Sequence, residues 1–484
     1  MAREEYLPTI GLEVHAELKT QTKMFCNSRN DPDETRPNVN VCPVCMGQPG
    51  TLPVINKEAV KHVLKVGAAV GGELADFTEF ERKNYFYPDI PKGYQISQFG
   101  HPLVRGGVLN GVKLTRIHLE EDTATSYHDR GDCSLIDFNR AGVPLMELVT
   151  EPVIRSAKEA VDFARELQLL LRYLGVSDAD MEKGEMRIEA NISVGRDGAL
   201  GTKVEVKNLN SFKAVEGAVE YEVKRQWKVL LGGGRVVRET RGWNDSTGET
   251  FSQRHKEESH DYRYFPDPDL PKLHLSEVPE FEAVRLRREL PELPAEKRDR
   301  YAKIFGIKSA DIEVFIRNRP LGMFFESVAG LLSGRFVKLA SNYIVSDLIG
   351  LIKENRAANS GGEGGEVGGG LKILPEDFAE LIKMVGGGEL SSRGAKDLLK
   401  VMVTEGGYPR QLAKERGLLQ KSDSSALVGV VKSVIADNPG VVGEVRNGKT
   451  AALEYLVGQG MKRTKGAANP SVLREILKKE IEFS

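Results

Sequence analysis

From Ile10 to Leu18 the chain reads I-G-L-E-V-H-A-E-L, alternating apolar and polar residues with a period of two. That period marks a strand with one buried face, and it puts Glu13, His15 and Glu17 together on the other. A second carboxylate-rich stretch runs from residue 117 to 152. There Glu120, Glu121, Asp122, Glu147 and Glu151 are set in short apolar runs, with the turn residues Ala141-Gly142 and Val143-Pro144 between them. Carboxylates inside strand-like runs lose water on folding, so they need a cation, a basic partner or a proton. Oxygen ligands with one imidazole suit magnesium or manganese better than zinc. The two segments are therefore expected to form halves of one metal–phosphate site.

Over residues 8–290 the pattern mixes strand-like runs (113–120, 135–139, 186–194 and 202–206) with two helical periods at 157–174 and 212–230. Strands dominate and do not alternate regularly with helices, which predicts an α+β fold rather than a doubly wound sheet. Leu290-Pro291-Glu292-Leu293-Pro294 punctuates the chain, and beyond it the pattern is almost wholly helical. Residues 360–370, SGGEGGEVGGG, form a flexible insertion unable to pack. A weaker boundary lies at Glu405-Gly406-Gly407, and Ala468-Asn469-Pro470-Ser471 opens a last helix over 472–481. The domain limits expected from these marks are 1–292, 293–405 and 406–484, with no internal repeat.

Composition narrows the function classes. The 484 residues are 40% hydrophobic and 29% charged with a net charge of -2, so no global basic field advertises nucleic acid and any RNA contact must be a local patch. No apolar run approaches the roughly 20 residues of a membrane span. The acidic start Met1-Ala2-Arg3-Glu4-Glu5 has no apolar signal core, and four cysteines are too few for a disulfide scaffold. A cytoplasmic location is expected.

Several motifs admit two readings. Residues 443–450 match G-x-x-x-x-G-K-T, but helical sequence precedes them and no buried strand does, so an inter-helix turn is expected. Cys42-Pro43-Val44-Cys45, with Cys26, has the spacing of a zinc knuckle short of one ligand; either zinc or three free thiols fits. Cys133 lacks any partner pattern for a nucleophile. The run Glu81-Arg82-Lys83-Asn84-Tyr85-Phe86-Tyr87-Pro88-Asp89 could hold a base and a phosphate, or be an aromatic strand. Lys203, Glu205 and Lys207 share a strand face ahead of Asn208 and Asn210, a pattern equally suited to a surface ladder. Residues 261–269, D-Y-R-Y-F-P-D-P-D, are too aromatic for a linker. The basic segment 461–466 with Lys449 is either a solvated helix end or a patch for RNA phosphate.

Taken together, these segments resemble the B subunit of the tRNA-dependent aspartyl/glutamyl amidotransferase family. The resemblance rests on I-G-L-E-V-H at 10–15, R-K-N-Y-F-Y-P-D at 82–89, K-G-Y-Q-I-S-Q at 92–98, H-L-E-E-D at 118–122 and N-R-A-G-V-P-L-M-E at 139–147. It continues through G-V-S-D-A-D-M-E-K-G at 175–184, E-V-K-N-L-N-S-F at 205–212, D-Y-R-Y-F-P-D-P-D at 261–269 and L-V-G-Q at 456–459. It implies a sheet-rich cradle domain, a helical domain and a small helical tail that touches tRNA, in a heterotrimer of the bacterial or organellar kind. It also implies a reaction: ATP phosphorylates the side-chain carboxyl of misacylated Glu-tRNA(Gln) or Asp-tRNA(Asn), and ammonia then displaces phosphate. The ammonia comes from glutamine hydrolysed in a partner amidase (glutaminase) subunit, and a third, small subunit of the same enzyme clasps the pair.

The resemblance places the magnesium site on Glu13, His15, Glu121 and Glu147, with Glu120 beside it or at a second ion. Lys83 would meet phosphate or the activated carboxyl. Arg140, Arg187, Lys207, Asn208 and Asn210 would line the nucleotide and aminoacyl pocket, and Lys449, Lys462, Arg463 and Lys465 would meet tRNA. Two departures stand out: Ser28 replaces a cysteine of the family's zinc pattern, leaving Cys26, Cys42 and Cys45, and Glu189 stands where the pattern has Asp. The insertion at 361–370 is foreign to the pattern. Rival readings are a non-catalytic tRNA scaffold and a self-contained glutamine-using enzyme. The second lacks a Ser-Ser-Lys amidase signature or a Cys–His pair in the sequence.

Overall fold

The computed structural model describes residues 6–128, 131–196, 199–255, 262–359, 372–420, 424–464 and 468–483. The chain forms two compact units, Met1–Pro294 and Ala295–Ser484. The insertion at 360–370 and Lys465 lie outside the described residues.

The first unit is built on strands β1 (Tyr6–Glu17), β2 (Glu81–Asn84), β3 (Tyr94–Ser97), β4 (Val112–Glu121), β5 (Pro144–Thr150), β6 (Met186–Arg196), β7 (Val204–Leu209), β8 (Glu239–Asn244) and β9 (Glu249–His255). Its long helices are α1 (Lys57–Ala69), α2 (Ala157–Leu174) and α3 (Phe212–Leu231). Among the described residues a ten-stranded sheet runs β9-β8-β7-β6-β1-β5-β4, continues through Val104–Arg105 and Glu73–Leu74, and takes Val108–Leu109 as a flap on β4. Every pair is antiparallel except β7 with β8, where α3 makes the crossover that parallel neighbours require. The strand expected at 135–139 shrinks to Leu135–Asp137, which pairs with Thr125–Tyr127 away from the main sheet.

Period-two alternation decides which face is buried. Ile10, Leu12, Val14 and Ala16 of β1, Ile117 and Leu119 of β4, Met146 and Leu148 of β5, and Ile188, Ala190 and Ile192 of β6 are all buried in one core. Val60, Val63 and Leu64 of α1 and Phe163, Leu167 and Leu171 of α2 fill the same core. The helix ends follow local chemistry. Ser156 accepts from Glu159 N, the Glu159 carboxylate accepts from Arg155 N, and Gly175 closes α2 in the left-handed conformation at φ 67°. Ser211 caps α3 in the same way by accepting from Ala214 N.

At the far end of the sheet, a polar network sits inside the apolar layer. Glu222 of α3 is fully buried and takes hydrogen bonds from Arg225, Gln226 and Thr250, with Arg241 Nε 3.5 Å away.

The second unit is helical. One of its clusters stacks Phe315 on Phe325 at 4.3 Å, and Tyr301 donates from its hydroxyl to Glu326 at 3.0 Å. Helices α4 (Ser424–Asp437), α5 (Pro439–Arg446), α6 (Thr450–Arg463) and α7 (Pro470–Phe483) close around a core of their own, with Val434, Leu456, Leu473 and Leu477 fully buried. The G-x-x-x-x-G-K-T match begins in the last turn of α5 and runs through the inter-helix turn at 447–449 to the start of α6, so no strand presents it to a phosphate. No helix among the described residues is long and apolar enough to cross a membrane.

Candidate active site

The polar face of the sheet carries the acidic constellation, and strand register assembles it. His15 of β1 is opposite Glu147 of β5, which is opposite His118 of β4, while Glu13 is opposite Glu189 of β6. Directly paired residues share a face, so the side chains converge. His15 Nε2 lies 3.5 Å from Glu147, 3.7 Å from Glu13 and 3.7 Å from Glu120. His118 Nε2 lies 3.5 Å from the same Glu147 oxygen, and Arg116 Nη2 is 3.3 Å from the other. Two overlapping donor sets result, Glu13–His15–Glu147 and His118–Glu120–Glu147, each with ligand atoms within 4.8 Å of one another.

Glu121 is the correction. The family resemblance groups it with Glu13, His15 and Glu147 as a metal ligand, but consecutive residues of an extended strand point to opposite faces. Glu120 therefore joins the cluster, while the Glu121 carboxylate turns away to accept from Ile96 N at 2.8 Å and to pair with Lys92 Nζ at 2.5 Å. His118 was missed altogether. Its signal was present in H-L-E at 118–120, where it sits two residues from Glu120 and so on the same face.

Electrostatics show the strain of this convergence. Burial, with the charges of Glu147 and Glu189, pushes the Glu13 carboxyl up to about 7. For His15, burial disfavours the charged ring, but its contact with Glu147 and the charges of Glu120 and Glu189 win and push it up to about 9. Glu147 is held below the usual carboxylate range: burial would raise it, and His118, His15 and Lys83 more than offset that. The buried His118 is pulled down by desolvation, and its Nδ1 has no hydrogen-bond partner among the described residues. Protons thus fill in for missing positive charge. Three carboxylates and two imidazoles at this spacing fit a hard divalent ion, which would take over from those protons.

Lys83 is near enough to Glu120 and Glu147 for their charges to act on it. Its strand β2 pairs with β3, and Ser97 of β3 donates to Glu120 at 3.2 Å. Burial works against the Lys83 charge, but Glu120, with Tyr264 and Glu147 behind it, holds its pKa above the ordinary value. Residues 262–266 fold back as a packed loop: Phe265 pairs with Arg82, Tyr262 lies 5.1 Å from Lys83 Nζ, and Tyr264 stacks on Phe99 at 4.6 Å.

The remaining sequence-based nominations separate. Arg187 grips Asp122 at 2.8 and 2.9 Å and Arg140 Nε lies 3.6 Å from the same carboxylate, so both arginines first neutralise a buried acid. Lys207 pairs with Glu189 at 3.0 Å and Glu205 at 3.4 Å, whereas Asn208, at φ 59°, and Asn210 are exposed. Beyond His15 on the same strand face, Glu17 lines a cavity of about 610 Å³ with Lys19, Arg29, Asp178 and Glu185. That volume suits a nucleotide-sized ligand. Cys26, Cys42 and Cys45 do come together, their sulfurs all within 4.8 Å. In the helical tail Lys449 pairs with Glu444 at 3.4 Å and Arg463 pairs with Asp437, while Lys462 is exposed.

A family model described as the GatB/GatE catalytic domain matches residues 8–279. A second, the GatB domain, matches residues 323–481. The chain belongs to this family. It is 44% identical over 498 residues to the B subunit of the aspartyl/glutamyl-tRNA(Asn/Gln) amidotransferase of Dehalococcoides mccartyi strain CBDB1, covering 99% of both chains. The same-named proteins of Moorella thermoacetica and Synechocystis are 44% and 41% identical, over 99% of this chain and 100% and 98% of theirs. The GatB/GatE match takes in all of the main sheet except the first two residues of β1, so the acidic face lies wholly within the part described as catalytic.

Proposed function

We propose that the chain is the kinase and transamidase subunit of a tRNA-dependent amidotransferase, a ligase that forms a carbon–nitrogen bond with glutamine as the amide donor. Its substrates are misacylated Glu-tRNA(Gln), Asp-tRNA(Asn) or both, ATP, and ammonia passed from a partner glutaminase that a small third subunit holds in place. A cytoplasmic location suits such a substrate. The observation that carries this reading is the meeting of Glu13, His15, His118, Glu120 and Glu147 near Lys83.

A carboxylate is a poor electrophile, and conversion to an acyl phosphate supplies it with a leaving group. Glu13, His15, Glu120 and Glu147 would hold magnesium; when bound, that ion offsets the charge that develops as the phosphoryl group moves. Lys83, kept protonated by Glu120, would bind the phosphoryl oxygens or the substrate carboxyl and orient them over the carboxylates. Tyr262 lies beside the Lys83 ammonium, and Tyr264 stacks on Phe99. Arg187 and Arg140 fix Asp122 at the edge of the site, and Lys207, Asn208 and Asn210 extend it along β7 toward a nucleotide or the aminoacyl end.

The reading is tested in the assembled complex with misacylated tRNA, ATP and free ammonia, which bypasses the glutaminase. Glu120→Gln is expected to raise the magnesium concentration needed for half-maximal single-turnover rate about tenfold or more. Glu121→Gln is expected to leave that requirement unchanged. Equal magnesium dependence for the two variants would return the choice of ligand to Glu121.

Contact with tRNA is assigned to the tail, taken as residues 406–484 and distinct from a helical domain at 293–405. Support for that division comes from the separate core around Leu456 and Leu473. Lys462→Ala with Lys465→Ala is expected to weaken tRNA binding and reduce the slope of log K against log salt by roughly 1–2. Lys449 and Arg463 would contribute only by leaving Glu444 and Asp437. An unchanged slope would make 461–466 a plain solvated helix end.

A further inference from the structure

The three cysteines play no part in the reaction above. Cys42 and Cys45 Sγ are 3.8 Å apart, and Cys42 N donates to Cys45 Sγ at 3.1 Å. The family's zinc pattern does not fit here. A structural zinc takes four ligands, and among the described residues no His, Cys, Asp or Glu joins the three sulfurs. Ser28 Oγ, 3.8 Å from Cys45 Sγ, offers a neutral hydroxyl where a fourth thiolate is needed.

Positive charge is already supplied from within the chain. Lys23 is fully buried, with Nζ 3.9 Å from Cys45 Sγ and 3.1 Å from Phe138 O. An ammonium held against a sulfur stabilises its thiolate and repels a dication. The cluster therefore places one sulfur beside a buried lysine and a second sulfur 3.8 Å from it on a C-x-x-C turn.

We propose that this cluster is a peroxide-reactive dithiol, with Cys45 as the attacking sulfur, Cys42 as its resolving partner and Lys23 as the positioning cation. The Cys45 thiolate takes one oxygen of hydrogen peroxide, breaking the O–O bond and releasing hydroxide. Cys42 then attacks the sulfenyl sulfur; the S–S bond forms and the sulfenyl oxygen leaves as water with the Cys42 thiol proton. The turn that carries Cys45 packs against Lys92. A Cβ at Gly47, two residues past Cys45, would lie 2.5 Å from Lys92 Cγ, and Lys92 holds Glu121.

Full-length protein treated with hydrogen peroxide and then digested is expected to lose two hydrogens from the peptide bearing Cys42 and Cys45, and dithiothreitol restores them. Cys42→Ser is expected to stop at a sulfenic acid on Cys45 that dimedone traps. Lys23→Met is expected to slow oxidation about tenfold. Exposed Cys133 serves as the internal reference and should react more slowly than Cys45. One zinc per chain resistant to chelator, an unchanged peptide mass, or dimedone on Cys133 ahead of Cys45 would each overturn the assignment.

Discussion

Glu147→Gln is expected to lower single-turnover amide formation from ammonia about 100-fold or more while leaving glutaminase activity of the assembled complex in place. Glu147 belongs to both donor sets and is touched by His15, His118 and Arg116. Its carboxylate is held firmly in the charged form, so it supplies fixed negative charge at neutral pH. The amide keeps the volume and one acceptor but loses that charge, and a charge placed where phosphoryl transfer occurs is worth several kcal/mol. The measurement is the rate of Gln-tRNA or Asn-tRNA formation at saturating ATP and ammonia, with a thermal melt to show that the sheet is intact. A rate within a few-fold of the parent would remove the acidic face from the chemistry and favour a scaffold that only positions tRNA.

The largest effect on stability is expected from Glu222→Ala, far from the acidic face. Glu222 is fully buried and satisfies Arg225 through two hydrogen bonds at 2.7 and 2.9 Å, Gln226 at 2.9 Å and Thr250 at 3.1 Å. Removing one partner of a buried pair leaves the opposite charges in low dielectric, at a cost of about 3–5 kcal/mol. Arg241, itself bonded to Glu239 at 2.7 Å, would be left with less negative charge than it needs. Chemical denaturation followed by tryptophan fluorescence checks this, since Trp227 and Trp243 both lie in the first unit. Glu222→Gln is expected to fall between the two, because an amide retains an acceptor without the charge.

How far the site could be read in advance varies with the kind of signal each residue leaves. Glu13 and His15 were legible because alternation in β1 is clean: apolar residues occupy one face without interruption from Ile10 to Ala16. Glu147 was legible as a carboxylate in the apolar run of β5. Glu120 and Glu121 could be told apart only by knowing which face Leu119 takes, because adjacent acids give a periodicity test no contrast. His118 was hidden for a related reason, as the eye follows the acids of H-L-E-E-D and passes over the ring two positions earlier. Arg140 and Arg187 illustrate another limit. Both are cations inside distinctive motifs, yet their shared partner Asp122 depends on a meeting of segments 18 and 65 residues from it in sequence.

The helical unit shows the same division. The inter-helix turn was recognisable from its surroundings and the pairing of Lys449 with Glu444 is local to it, whereas the pairing of Arg463 with Asp437 needed the packing of α4 against α6.

Local pattern by itself determined the strands β1, β4, β6 and β7, the helices α2 and α3, the helical character of the second unit and the residue types of an acidic, imidazole-bearing face. These depend on periods of two and 3.6 and on side chains within a few positions, where sterics and capping act directly. Tertiary structure alone decided which acid joins the cluster, which cations remain available, and that Lys23 sits against Cys45. Those outcomes depend on strand register and on charges brought together across the fold, and a Coulomb interaction depends on distance in space rather than separation along the chain.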